Sequence, residues 1–143
     1  YGFLATPTVG DAAADFLVAV YGNLFGRTPD AAGAAYWIGQ LTSGTTGVAT
    51  AILDILSGAQ AGDALVIANK VAVGNYYVAQ TFNHHVSMTP ASARQALDGI
   101  DYSAASALAA QAAIDTFIAA VEQARLFSES VPTLGVQTID NAI

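Results

Sequence analysis

Residues 21–40 constrain the fold more than any other stretch. They read Tyr-Gly-Asn-Leu-Phe-Gly-Arg-Thr-Pro-Asp-Ala-Ala-Gly-Ala-Ala-Tyr-Trp-Ile-Gly-Gln. Two helical patterns meet here through a turn with its own chemistry. Val20, Leu24 and Phe25 end an apolar stripe at helical spacing. Gly26 suits the left-handed backbone that closes a helix. Thr28 is a good N-cap, Pro29 suits a first helical position, and Asp30 places negative charge in the first turn. Trp37, Ile38 and Leu41 then give the second helix an apolar face. A chain with this turn is committed to paired helices.

The remaining pattern agrees. Residues 1–10 carry Pro7 and Gly10 without a clear period and read as an extended lead-in. Asp11 is a plausible cap for the first helix, whose stripe includes Leu17, Val20, Tyr21, Leu24 and Phe25. The second helix is expected from about 29 to 41, then a turn over 42–47. Val48, Ile52, Ile55 and Leu56 mark a third helix ending near Gly58. The fourth opens at Gly62-Asp63 and runs to about Phe82. Its apolar positions are nearly continuous, which marks a central helix. Residues 83–89 form a polar loop with His84 and His85. Thr89-Pro90 starts a short fifth helix. Asp101 or Ser103 caps a sixth, with Ala107, Leu108, Ile114, Phe117, Ile118 and Val121 on its face. From Ser128 the pattern dissolves, and 131–136 looks extended. The expectation is an all-α, single-domain bundle of five to seven helices over 11–127, with an extended lead-in at 1–10 and an extended tail or linker at 128–143.

Composition narrows the function. Charged residues make up only 10% of the 143, and hydrophobic ones 54%; ordinary soluble proteins carry about 25% charged residues. The exposed surface must then be largely Ala, Gly, Ser, Thr, Asn and Gln, a surface suited to contact with other protein. The net charge of −7 disfavours nucleic acid, because no basic patch stands ready to neutralise phosphates. There is no cysteine, so no disulfide framework or thiolate site exists. The charge-free run 31–53 breaks at Gly44 and Gly47 and does not read as a membrane span.

No constellation points to catalysis. A Gly-Xaa-Ser-Xaa-Gly elbow, an HEXXH motif and a P-loop are all missing, and Gly-Thr-Thr-Gly at 44–47 lacks the lysine of a phosphate loop. Asp11/Asp15 and Asp98/Asp101 are carboxylate pairs near helix starts, where capping and the helix dipole explain them. His84 and His85 are adjacent, have no other ligand at metal spacing, and read as solvated loop residues. EF-hand spacing is absent. No catalytic residue, metal site or cofactor is expected. Arg27 and Asp30 read as a structural clasp, with the Asp capping a helix and the Arg reaching a carboxylate or a carbonyl. Trp37 reads as core. Tyr76 and Tyr77 are neighbours on the fourth helix and cannot both face inward; one of them is the candidate for a contact surface.

The stretch from Leu24 to Gly44 resembles the signature of the DUF4214 family, a helical domain of large secreted bacterial proteins. Gly26, Arg27, Pro29, Asp30, Gly33, Tyr36, Trp37, Leu41 and Gly44 stand where the pattern wants them. Ser57-Gly58-Ala59-Gln60 departs from the acidic segment that usually follows. The likeness extends over about 11–125, strongest in the first half. Such proteins are often RTX-type, adhesin-like or surface-layer-like. The resemblance implies a non-catalytic structural or interaction module, extracellular or at the bacterial cell surface. It further implies protein partners, identical subunits or cell-surface polysaccharide. The alternative is an accessory subunit or a small-ligand-binding helical domain of a larger complex.

Overall fold

The computed structural model describes residues 9–130. They form six helices: α1 (Val9–Phe25), α2 (Ala31–Thr42), α3 (Val48–Ser57), α4 (Ala61–Asn83), α5 (Pro90–Ala96) and α6 (Ala104–Ser130). Among the described residues there is no strand. The fold is an all-α bundle. Val9 and Gly10 are already helical, and 128–130 still belong to α6, so the bundle runs past the expected bounds at both ends. The rest of the lead-in and the stretch 131–136 lie outside the described residues.

Two apolar clusters make the core. The first joins Leu17, Tyr21 and Phe25 of α1 to Ile55 of α3, with Trp37, Ile38 and Leu41 of α2 packed against it. The second joins Val73 and Tyr77 of α4 to Ile114 and Ile118 of α6, with Val86 and Ile100 from the connections. The spacings 17, 21, 25 and 114, 118 are single helical stripes, so each helix buries one face only. α4 is the central element. It packs against α1, α5 and α6, and it carries Val73 in the second cluster and Ile67 against the first.

Local chemistry sets the ends. Gly26 takes φ +69°, and its N–H bonds Gly22 O at 3.0 Å, which closes α1. α2 begins later than expected, at Ala31. Its cap is Asp30, whose carboxylate accepts Gly33 N–H at 2.8 Å; Thr28 is not the cap and Pro29 precedes the helix. At α5 the same Thr-Pro dipeptide behaves as expected. Thr89 caps, Pro90 is the first helical residue, and Ser92 completes a capping box. Ser103 precedes α6 and its hydroxyl accepts Ser106 N–H at 3.2 Å.

Candidate functional site

The signature turn braces α1 and α2 against α4. The guanidinium of Arg27 donates from Nε to Asp63 Oδ1 at 2.9 Å and from Nη2 to Oδ2 at 2.5 Å. Nη1 donates to Thr28 O at 3.0 Å. The same group lies 5.2 Å from the Tyr21 ring centre and 5.8 Å from that of Phe25. This two-point fork is the geometry arginine favours with a carboxylate, and the Asp63 bond raises the Arg27 pKa further. Arg27 thus reaches Asp63 rather than Asp30. Asp63 was legible only as part of a helix opening, because its partner lies 36 residues away. A Cβ at Gly33 would stand 3.4 Å from both Asp30 carboxylate oxygens, an ordinary van der Waals contact, so the cap does not depend on glycine there. Tyr36 is exposed, with its ring edge-on to Trp37 at 5.0 Å. Trp37 packs against the first cluster, as expected of a core residue, but is partly rather than fully buried. α2 contributes no fully buried residue, since it lies across α1 and α3 at the edge of the bundle.

The two tyrosines of α4 are both engaged. Tyr77 is buried and shares a 2.6 Å hydrogen bond with Ser92 Oγ. Tyr76 is half-buried, and its hydroxyl donates to Asp115 Oδ1 at 2.6 Å. That bond raises the Tyr76 pKa, because the phenolate would face the carboxylate. Neither ring is a free contact surface. The exposed apolar residues of α4 lie on another face.

That face was missed in the sequence. Ala64, Ala68, Val71, Asn75, Val78 and Phe82 are all exposed. Val71 is 57% exposed, Val78 51% and Phe82 77%. Their spacing is 4, 3, 4, 3, 4, the heptad pattern of a helix-pairing seam. None is charged, and a single amide, Asn75, sits near the middle. The available signal was the surplus of apolar residues in the fourth helix. The adjacent tyrosines are the louder signal because they are aromatic, while the heptad row contains two alanines and an asparagine.

The histidines are not simply solvated. His84 Nδ1 lies 2.6 Å from Glu122 Oε1, tying the loop after α4 to α6. His85 takes φ +53°, and its carbonyl accepts from Arg125 Nη2 at 3.2 Å. Among the described residues no group of three or more His, Asp or Glu side chains is placed to hold a metal ion. Asp98 and Asp101 lie in the connection between α5 and α6, not on one helix face. Asp101 accepts Ser103 N–H at 2.7 Å and the Ser103 hydroxyl at 2.6 Å, which hold its carboxyl below the usual range.

α6 raises a point that the run 31–53 did not. At 27 residues it is long and apolar enough to cross a membrane, and the bent pair α3 and α4 passes the same test jointly. The core helix of a soluble protein shares that length and apolarity but is mostly buried, whereas only 11% of the apolar window of α6 is buried. Here Ile114 and Ile118 pack into the second cluster, and Asp115 at mid-helix bonds Tyr76.

Residues 6–59 match the family model described as "Domain of unknown function (DUF4214)". The match holds the signature turn, α1, α2 and α3, and ends before α4; the likeness expected to reach about 125 is found in this first part. No curated protein and no solved structure matches the chain.

Proposed function

We propose that this chain is a non-catalytic interaction module that associates with an identical copy of itself through the outer seam of α4. The observation that carries this reading is the exposed heptad row 64, 68, 71, 75, 78 and 82. Apolar side chains at that spacing bury their surface when a second helix lies alongside. A copy of the same seam is the fitting occupant. The chain as a whole carries −7, so approach through charged faces sets like against like. The α4 seam carries no charge and meets its own copy without that penalty, in a two-fold isologous contact. Asn75 pairs with its counterpart and fixes the register. The wider setting of this reading is a secreted or cell-surface bacterial protein of the RTX-type or surface-layer-like kind, where lateral assembly or anchoring is the task; it follows from the resemblance of the signature, while the family model matched over 6–59 is described only as a domain of unknown function.

The test is sedimentation of the 143-residue chain over a range of concentrations. Self-association in the micromolar range is expected, and Phe82→Glu or Val78→Glu should abolish it while the far-UV spectrum is unchanged. Asn75→Leu should tighten it and loosen register. A wild type that stays monomeric throughout, or one whose association survives both glutamates, removes the seam reading.

A further inference from the structure

A second feature stands apart from the seam. The C-terminal end of α1, the middle of α4 and the α5–α6 connection border a half-open cleft of about 900 Å³, within the range of small-ligand sites. Two of the chain's four cations, Lys70 and Arg94, line it with Asn23, Gln95, Asp98 and Asp101. Leu97 and the largely buried Phe25 add apolar wall.

The commitments of these groups decide what fits. Lys70 Nζ donates to Asn23 O at 2.6 Å, so an ammonium already neutralises the carbonyl end of α1. Burial lowers the Lys70 pKa, and Asp98 partly offsets this. Asp101 is held by Ser103. Among the described residues Asp98 accepts only the N–H of the next residue, Gly99, at 3.0 Å. The side chains of Arg94 and Gln95 have no hydrogen bond or ion pair among the described residues. By contrast Arg27 is spent on Asp63 and Arg125 on His85 O. Among the described residues, the cleft therefore holds a guanidinium and an amide without partners and a carboxylate with spare acceptor capacity, all at the end of α5.

Charge excludes the simple ions. Lys70 and Arg94 are balanced by Asp98 and Asp101, and the end of α1 adds carbonyl oxygens. A phosphate or carboxylate would meet acceptors on two sides, and a free cation would meet Lys70. A ligand that donates and accepts at adjacent atoms suits this lining: a donor fork in Arg94, an acceptor in Asp98, and Gln95, which does both. Vicinal hydroxyls on a ring have that property, and the ring's C–H face suits Leu97 and Phe25. We propose that the cleft between α1, α4 and the α5–α6 connection is a binding site for an uncharged saccharide. Arg94 and Asp98 grip neighbouring hydroxyls there, and Gln95 holds a third.

The test is an amide chemical-shift titration of the ¹⁵N-labelled 143-residue chain. Glucose, galactose, mannose and N-acetylglucosamine are added separately, with sodium acetate as an anionic probe. At least one sugar should give saturable shifts confined to Asn23 and residues 94–101. Arg94→Ala and Asp98→Asn, both on exposed residues, should each weaken that binding by about tenfold, the worth of a hydrogen bond to a charged group. The Glu variants of the α4 seam should leave it unchanged, which separates this site from self-association. The proposal falls if no sugar gives saturable shifts in the cleft, or if both cleft variants bind as the wild type does. It also falls if acetate saturates the same amides more tightly than any sugar.

Discussion

Asp30 shows how one carboxylate shifts a helix start. Thr28-Pro29 and Thr89-Pro90 offer the backbone the same opening, yet only Thr89 caps. The difference lies downstream. Ser92 returns a bond to the Thr89 backbone, whereas residue 31 after Thr28 is an alanine without a side chain to return one. Asp30 then supplies a charged acceptor to Gly33 N–H, at the positive end of the helix dipole. The sequence showed a start here and two candidate caps; the choice between them depended on a bond three residues away. The Gly33 N–H holds the Asp30 carboxyl below its ordinary value of 3.8, and the Ser103 contacts do the same for Asp101. Both groups are acids with depressed folded pKa values. Their contribution is present in full above about pH 4, the unfolded range, and is lost as pH falls through the folded values. Thermal melts should therefore be flat in pH above about 5 and drop below about 4. Asp30→Asn, which still caps, should shallow that acid limb. An unchanged limb in the variant would show that Asp30 is not one of its sources.

Elements differ in how far the sequence placed them. The existence and order of the helices were legible because 3.6-residue stripes and capping residues are local signals. Which face each helix buries was less so, because it depends on neighbours far away in sequence. α2 is the clearest case. Trp37, Ile38 and Leu41 form its apolar face, yet none is fully buried, since α2 packs at the edge. Leu17 on α1 is completely enclosed. Leu17→Ala should cost about 2–5 kcal/mol. Trp37→Ala should fall toward the low end of the same range, about 2–3 kcal/mol, because part of its area stays in water. Urea unfolding of the two variants checks the order. A larger loss at Trp37 than at Leu17 would contradict the edge placement of α2. The tyrosines on α4 make the same point in reverse. Their neighbours Ser92 and Asp115 lie 15 and 39 residues away, and those partners, not the local pattern, decide that neither ring is free.

At the scale of the molecule, two small cores share one long helix. The first cluster draws on α1, α2 and α3, and the second on α4, α5 and α6. α4 reaches both, through Ile67 at one end and Val73 and Tyr77 further along. The polar ties Arg27–Asp63, an ion pair, and Lys70–Asn23, an ammonium on a backbone carbonyl, also run from the first half to α4, but such surface contacts contribute little. Cooperativity between the halves therefore rests mainly on the continuity of α4. Ala72 sits between the two contact regions and is exposed, so a change there alters the helix without opening either core. Proline at that position removes a backbone bond and collides with the preceding turn, at a cost of about 3 kcal/mol or more. Trp37 is the lone tryptophan and reports on the first cluster, while ellipticity also follows the long helix α6. In the wild type, urea transitions by fluorescence and by ellipticity should coincide. In Ala72→Pro they should separate into two, with Ala72→Ser remaining single. Coincident transitions in Ala72→Pro would mean that contacts outside α4 couple the cores. Separate transitions already present in the wild type would mean that α4 never coupled them.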